Sequence, residues 1–322
     1  MMDIRNEVKQ AETRIRPYVR QTILEYSPTL SQRSGAEVYC KLENLQHTGS
    51  FKVRGAMNKL LSLTGSDRSK GVVAASTGNH GAAVAFSMEQ LGVPGIIFVP
   101  ENADPSKIAL IEQSNAEVRF FGSDCAETEV HARQYAADQG MTYVSPYNDP
   151  QIIGGQGTIG LELERQLSSI DAVFVSLGGG GLISGIAGYL KPSNSSLEII
   201  GCSPENSQVM IQSLEAGRIV DVPSMPTLSD GTAGGIEAGA ITFEFCQQLV
   251  DTCLTVTEEE IRASLLLFLR AHRMMIEGAA AVAIASFLKA SERFRGRTVV
   301  LVICGANIGL DTLKQVLQGP QD

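Results

Sequence analysis

Hydrophobic residues follow two alternating patterns along the chain. Short runs rich in valine and isoleucine predict strands at residues 72–75, 95–99, 117–121, 172–177, 198–201 and 298–303. Segments with apolar residues at helical spacing predict helices at residues 78–91, 107–114, 125–139, 157–167, 183–190 and 257–272. Because parallel strands need crossover connections, which are usually helical, this alternation predicts an α/β fold with parallel-rich, twisted sheets flanked by helices.

Composition and charge argue against several classes of function. The 322 residues are 43% hydrophobic and 19% charged, which fits a globular chain large enough for two lobes. The net charge of −9, without a basic cluster, argues against nucleic acid as a partner. No apolar run approaches the roughly 20 residues of a membrane span, and the N-terminus is too polar for a secretory signal. The six cysteines show no C-x-x-C spacing, which favours a reducing cytoplasm and no zinc site.

Lys52 is the first candidate for chemistry because of its neighbours in the run TGSFKVRGA at residues 48–56. A lysine that forms a Schiff base must be held away from bulk water, so that its neutral, nucleophilic amine is accessible. Gly49 and Gly55 would let the backbone approach a planar cofactor closely. On this run alone, a structural lysine in a loop or at a helix start is an equally good interpretation.

Two turns each follow a predicted strand and precede a predicted helix. They are Ser76-Thr77-Gly78-Asn79-His80-Gly81 and Gly178-Gly179-Gly180-Gly181. Such a turn gathers backbone N–H groups at a helix N-terminus, where an anionic group binds. Neither G-x-G-x-x-G nor G-x-x-x-x-G-K-[ST] occurs around the four glycines, so a small monophosphate is favoured over a dinucleotide or a nucleoside triphosphate. The alternative interpretation of the four glycines is a flexible surface turn.

Four motifs follow one another along the chain: Lys52 in TGSFKVRGA, the loop at 76–81, the glycines at 178–181 and the run Cys304-Gly305-Ala306-Asn307. In this order they resemble the fold-type II pyridoxal-phosphate enzymes, and among these the threonine and serine dehydratases and the serine racemases. The resemblance extends from about Arg16 to about Leu313. The STGNHG loop is also similar to that of the dehydratase of hydroxyectoine utilisation.

The resemblance implies a two-lobed fold of the tryptophan synthase β type, with pyridoxal 5'-phosphate in the cleft between the lobes. The large cofactor-binding domain would comprise residues 1–53 and 145–322. The small inserted domain with the substrate loop would comprise residues 54–144. The chain ends soon after the last expected catalytic element, so the regulatory domain of biosynthetic threonine dehydratases is not expected. A cytoplasmic homodimer that acts on a small amino acid is expected.

The resemblance also implies roles for individual residues. Lys52 would be the catalytic lysine that carries the cofactor. The other cofactor-binding residues would be Phe51 against the ring, Asn79 at the 3-hydroxyl, Gly178, Gly179, Gly180 and Gly181 at the phosphate, and Cys304 at the pyridine nitrogen. The substrate carboxylate would bind at Ser76, Thr77, Gly78, Asn79 and His80. The alternatives are core packing for Phe51, a turn asparagine for Asn79, a solvent-facing histidine for His80 and a structural buried cysteine for Cys304.

Two positions depart from the pattern of serine racemases. Thr77 stands where those enzymes have a serine as the base on the second face, and its bulkier secondary hydroxyl argues against efficient racemisation. The acidic pair that binds a divalent cation in racemase-like members falls on Ser203 and Val209, so no metal site is expected. The run that begins at Glu277 resembles the E-G-A-x-A run that opens a late helix near the cofactor in dehydratases. A glutamate in a first turn is also favoured by the helix dipole, so Glu277 is not counted among the catalytic residues. His47, His131 and His272 have no predicted partner.

The expected activity is a pyridoxal-phosphate-dependent β-elimination on a small 3-hydroxy amino acid. With L-threonine or L-serine, the products would be a 2-oxo acid and ammonia. Two other substrates remain open, namely 3-hydroxyaspartate and a hydroxy amino acid derived from hydroxyectoine. A racemase of the serine racemase type would share every cofactor motif. A non-catalytic α/β binding protein could keep the glycine loops, but it would have no use for Lys52 in this setting.

Overall fold

The computed structural model describes residues 2–103, 105–114 and 116–318. The strands are β1 (Leu24–Tyr26), β2 (Glu37–Leu42), β3 (Val72–Ala75), β4 (Gly95–Val99), β5 (Glu117–Phe120), β6 (Thr142–Tyr143), β7 (Ala172–Ser176), β8 (Glu198–Pro204), β9 (Thr252–Val256) and β10 (Thr298–Ile303). The helices are α1 (Ile4–Ile15), α2 (Pro28–Ser34), α3 (Lys52–Ser62), α4 (Gly65–Lys70), α5 (Asn79–Leu91), α6 (Pro105–Glu112), α7 (Cys125–Gln139), α8 (Pro150–Gln166), α9 (Gly181–Leu190), α10 (Val209–Ala216), α11 (Ile241–Leu249), α12 (Glu258–His272), α13 (Gly278–Ala290) and α14 (Leu310–Gln318).

These elements form two sheets, and the predicted α/β class with parallel-rich sheets is confirmed. The larger sheet has six strands in the order β1-β2-β10-β7-β8-β9. Its only antiparallel pair among the described residues is β1 with β2. The smaller sheet has four parallel strands in the order β5-β4-β3-β6. All four of these strands lie between residues 72 and 143.

Buried strands explain why the larger sheet sits in the core. Every residue of β7 is buried, as are five of the six residues of β10. Strands that are covered on both faces carry continuous apolar runs rather than alternating ones, which is the pattern seen here. Helix α13 packs against both strands. None of the helices within the described ranges is long and apolar enough to cross a membrane.

Close helix packing fixes the start of α3, which carries Lys52 at its first position. Helix α8 lies against α3 through Gly155, where an added Cβ would come within 2.5 Å of the carbonyl oxygen of Arg54. On the same face, the N–H of Gly55 donates to the side chain of Gln156 at 3.2 Å. Because glycine is the only residue that leaves room at this crossing, α8 positions the first turn of α3.

Candidate active site

Three strand ends meet beside the start of α3. The loop that begins at Ser76 follows β3, the four glycines follow β7 after Leu177, and Cys304 follows β10 directly. In open parallel sheets, ligands bind at the carboxyl ends of the strands. The backbone N–H of Phe51 donates to the carbonyl of Cys304 at 3.1 Å, and this bond ties the turn before Lys52 to the end of β10.

The amine of Lys52 lies in this cluster and forms no ion pair with a carboxylate of the residues that the structure describes. Its Nζ donates to the backbone carbonyl of Pro146 at 2.8 Å and lies 5.3 Å from the centre of the Phe51 ring. Burial lowers the pKa of Lys52 to about 8, and the charge of the nearby Glu277 opposes that shift only in part. A lysine with this pKa has an appreciable fraction of neutral amine near neutral pH, as a nucleophile or base requires.

The four glycines form a tight turn into α9. Gly180 has φ of 83°, in the left-handed region that glycine tolerates, and α9 begins at Gly181. A Cβ on Gly179 would come within 2.4 Å of the Tyr147 ring. The turn therefore requires glycine and is not a loose surface loop, which was the alternative interpretation of the sequence. It brings backbone N–H groups and the N-terminus of α9 together as a site for an anion.

Beside this turn lies a buried hydroxyl. Thr242 is fully buried, and its Oγ1 has no hydrogen-bond partner within the described residues. A Cβ on Gly180 would lie 3.2 Å from the Cβ of Thr242, so the side chain lies directly against the turn. A buried hydroxyl without a partner carries a free-energy cost, which a bound oxyanion would remove.

Asn79 and Glu277 form the centre of a polar network. The Nδ2 of Asn79 donates to both carboxylate oxygens of Glu277, at 3.0 and 2.9 Å. The backbone N–H of Asn307 donates to Glu277 at 3.2 Å, and the thiol of Cys304 lies 3.8 Å from the same carboxyl group. Burial raises the pKa of Glu277 to about 7, although the hydrogen bond from Asn79 lowers it again in part.

Cys304 is buried at the carboxyl end of β10. Burial and then the proximity of Glu277 raise the pKa of its thiol well above the usual range. The sulfur is therefore a neutral thiol at neutral pH. It can contact a ring nitrogen, but it cannot hold that nitrogen protonated as a carboxylate would.

The loop at residues 76–80 is shaped by its own hydrogen bonds. The Oγ of Ser76 accepts from the N–H of Gly78 at 3.1 Å. His80 is buried, and its Nε2 is bonded to the carbonyl of Val144 at 2.8 Å, so the alternative of a solvent-facing histidine is wrong. Burial and then Lys52 lower the pKa of His80 to about 3, which keeps its ring neutral. Thr77 is half-buried in the same loop.

The structure gives specific contacts to two further residues that were not among the predicted site residues. Glu277 is the N-cap of α13, but its side chain makes no capping bond and instead joins Asn79 and Cys304. Tyr147 covers Gly179, and its hydroxyl accepts from the N–H of Glu237 at 2.9 Å. The sequence placed the run at Glu277 near the cofactor only by resemblance, and it did not separate the contacts of Glu277 from ordinary helix capping. A tyrosine in a loop gives no sequence signal that separates its role from ordinary packing.

The remaining predictions concern histidines and metals. His272 has partners after all: its ring nitrogens lie 2.9 Å from the hydroxyl of Ser27 and 2.8 Å from a carboxylate oxygen of Glu25. Ser27 is fully buried, so this trio joins α12 to the chain before α2. Within the ranges described, no group of three or more histidine, cysteine, aspartate or glutamate residues is placed to hold a metal ion. Ser203 donates to the carbonyl of Leu177 at 2.7 Å.

Comparison with known proteins assigns this arrangement to a family. A family model described as pyridoxal-phosphate dependent enzyme matches residues 15–305. The chain is 40% identical over 311 residues to the L-threonine ammonia-lyase of Thermotoga maritima, covering 97% of this chain and 77% of that protein. It is 38% identical over 313 residues to the catabolic L-threonine dehydratase TdcB of Escherichia coli K12, with coverage of 97% and 95%. The structure of maize serine racemase matches with a TM-score of 0.91 and 31% identity, over 98% of this chain and 96% of the other. The chain therefore belongs to the pyridoxal-phosphate-dependent enzymes.

Proposed function

We propose that this enzyme is a dehydratase, or ammonia-lyase, that removes the β-hydroxyl of L-threonine or L-serine and yields a 2-oxo acid and ammonia. The observation that carries the proposal is the setting of Lys52. Its amine bonds the carbonyl of Pro146 and has no carboxylate partner within the described ranges, and the next residue, Tyr147, packs against the glycine turn that is suited to a phosphate. The names of the bacterial relatives at 38–40% identity support the same reaction.

The residues present fit pyridoxal 5'-phosphate. The glycine turn, the N-terminus of α9 and the unpartnered hydroxyl of Thr242 would hold the phosphate. Asn79 would bind the 3-hydroxyl of the ring, Phe51 would pack against the ring, and the neutral thiol of Cys304 would face the ring nitrogen. Lys52 would carry the cofactor covalently.

The cofactor, when bound, supplies an electron sink for the α-carbon of the substrate. The substrate amine would displace Lys52 from the cofactor, and the freed Nζ of Lys52 would then be the general base that takes the α-proton. The loop at 76–80 binds the substrate carboxylate through backbone N–H groups and the hydroxyls of Ser76 and Thr77. His80 stays neutral and holds this loop on the carbonyl of Val144. The β-hydroxyl would leave with a proton as water, which balances the α-proton taken by Lys52. The enamine that remains would add water and give the 2-oxo acid and ammonia.

A racemase is the second candidate, since the fold matches maize serine racemase closely. Racemisation needs a proton donor on the face of the substrate opposite Lys52. Thr77 has a hydroxyl, but its methyl group restricts χ1 and crowds this face. Elimination needs only Lys52 and a leaving group, so we place elimination first.

We also propose that the enzyme is a cytoplasmic homodimer without a required metal ion. The proposed domains are residues 1–53 with 145–322, and residues 54–144. The position of the four-stranded sheet, wholly between residues 72 and 143, supports this division. Ser203 and Val209 at the positions of the expected acids support the absence of a cation site.

The deciding experiment measures two products from the same purified enzyme. L-threonine, L-serine and 3-hydroxyaspartate are each assayed for release of 2-oxo acid and, separately, for the D-amino acid. We expect 2-oxo acid from threonine or serine to form far faster than either D-isomer. Inversion of serine at a rate equal to elimination would favour the racemase, and activity on 3-hydroxyaspartate alone would change the substrate class.

A further inference from the structure

Asn79 belongs to a series of hydrogen bonds, and the contact at one end fixes which group donates at every step. Asn307 donates from Nδ2 to the backbone carbonyl of Thr48 at 2.9 Å. A carbonyl only accepts, so this end of Asn307 must be its NH₂ group. The second hydrogen of that group goes to the Oδ1 of Asn79 at 2.6 Å. The Nδ2 of Asn79 must then point to Glu277, as observed.

Two glycines leave room for the side chains that form this series of hydrogen bonds. A Cβ on Gly49, which has φ of 69°, would lie 2.7 Å from the Oδ1 of Asn307. A Cβ on Gly305 would lie 2.5 Å from the Oε1 of Glu277. Side chains larger than hydrogen at either position would displace the amide or the carboxylate. The backbone on both sides of the site is therefore adapted to Asn307 and Glu277.

The groups that face Glu277 come from four elements. The Nδ2 of Asn79 comes from α5 and the thiol of Cys304 from the end of β10. Asp230, in the turn beside α13, helps to raise the pKa of Glu277 through its negative charge. Glu277 in turn raises the pKa of Lys52 on α3. No arginine or lysine of the described chain forms an ion pair with Glu277. The carboxyl group is thus free to change its protonation state near neutral pH.

We propose that Glu277 and Asn307 are positioning residues that hold the amide of Asn79 with an N–H directed at the 3-oxygen of the cofactor, while the charge of Glu277 favours the protonated form of the groups around it. An Asn79 Nδ2 that shares one hydrogen between the two oxygens of Glu277 keeps its second hydrogen for the cofactor. The proposal rests on the cofactor assignment made above and is independent of which substrate the enzyme takes.

The experiment compares Glu277→Gln with Asn307→Ala in the full-length holoenzyme. Glu277→Gln removes an anion, so the protonated cofactor is less favoured, and the pH midpoint of its visible absorption should fall by about one unit. Dialysis should show cofactor affinity weakened by about tenfold, because charge-assisted hydrogen bonds are lost. Asn307→Ala removes a neutral donor. It should weaken cofactor affinity to a similar extent and leave the pH midpoint in place.

Two further variants separate the possible outcomes. Glu259→Gln, at an exposed position of α12, is the matched control and should change neither quantity. Asn79→Ala tests the foundation: if it leaves cofactor affinity unchanged, Asn79 does not contact the cofactor, and both this proposal and that assignment fall. If Glu277→Gln and Asn307→Ala lower only the melting temperature of the cofactor-free protein, the network is merely structural and the proposal is wrong. If Glu277→Gln does not fold, Asn307→Ala decides: an unchanged cofactor affinity in that variant overturns the positioning proposal and leaves the cofactor assignment standing.

Discussion

Two buried clusters in this enzyme each contain a lysine and a glutamate, but they are built in opposite ways. In the Lys52 cluster (Lys52, Asn79, Glu277, Cys304 and Asn307), the lysine bonds a backbone carbonyl and the glutamate accepts from amides. In the Lys41 cluster (Thr22, Lys41, Glu43, Arg54 and Glu162), opposite charges meet directly. Lys41 lies 2.5 Å from Glu162, and Arg54 lies 2.7 Å from Glu162 and 2.8 Å from Glu43.

The difference appears in the protonation of the two glutamates. Burial alone would raise the pKa of both. For Glu162, Arg54 and then Lys41 outweigh burial and lower its pKa to about 2. For Glu277, the neutral partners do not outweigh burial, and its pKa is about 7. A buried charge with a countercharge is fixed and serves the fold, whereas a buried group with neutral partners can exchange a proton at neutral pH and serves chemistry.

The largest expected difference lies between the two lysines. Lys52→Ala should reduce turnover by at least about 10³-fold, because the covalent link and the α-proton base are both lost. It should also remove the visible absorption of the lysine-bound cofactor. Lys41→Met should lower the melting temperature and leave turnover per folded enzyme unchanged. Ammonia release near the wild-type rate by Lys52→Ala would contradict the assignment, and Lys41→Met is its control.

The second prediction concerns stability at neutral pH. Glu162→Gln should lower the free energy of unfolding by about 3 kcal/mol, because it leaves the buried cations Arg54 and Lys41 without their shared anion. Glu277→Gln should cost far less, since no cation loses a partner. Urea titration of the cofactor-free proteins at pH 7 measures both. Equal losses in the two variants would remove the distinction between the clusters.

The pH dependence of stability should have opposite signs at the two glutamates. Glu277 binds its proton more tightly in the folded chain, so its contribution is complete below about pH 4.5 and is lost as the pH rises through 7. Glu162 binds its proton less tightly when folded, so its contribution is present above about pH 4.5 and is lost as the pH falls toward 2. Each shift corresponds to about 3 kcal/mol at most. Melting temperatures measured against pH test both. Glu277→Gln should remove the decrease in stability as the pH rises through 7, and Glu162→Gln should remove the decrease as the pH falls toward 2.

The smallest expected effect is at Thr77, a neutral residue beside the Lys52 cluster. Thr77→Ser should raise the share of racemisation a few-fold without a change in stability, because a primary hydroxyl is smaller and rotates more freely. Chiral analysis of the amino acid recovered from L-serine, alongside 2-oxo acid release, measures the share. An unchanged partition would mean that Thr77 does not limit proton delivery.

Pattern and motif order predicted much of the fold from the sequence. Strands β3, β4 and β10 and helix α7 have the predicted bounds. Helix α12 begins one residue after its predicted start because Thr257 is its N-cap, within a capping box that includes Glu260.

The misses have physical reasons. Strand β2 was not predicted because its buried Lys41 breaks the apolar pattern, and only the distant Glu162 makes that burial tolerable. Helix α8 begins at Pro150 and not at 157. Close packing requires glycine at positions 154 and 155, and glycine weakens the helical pattern in the sequence.

The order of the motifs predicted Lys52, Asn79 and Cys304 as site residues by resemblance, and backbone conformation explains the prediction of the four glycines. The four glycines predict a turn in the sequence because Gly180 has a positive φ and Gly179 has no room for a side chain. Glu277 and Asn307 contact each other, and both contact Asn79, which lies more than 190 positions from either in the sequence. Contacts of this kind are set by tertiary structure, so a single sequence without the fold gives no signal for them.

The glycine crossing between α8 and α3 has a consequence for how natural variants of this enzyme are judged. Alanine at position 155 would look harmless, being small and a strong helix former. Its methyl group would nevertheless meet the backbone of Arg54 and Gly55, both in the first turn of α3. An enzyme with alanine at position 155 would have Lys52 displaced although every residue of the site is unchanged. Activity would return only if α3 itself shifted.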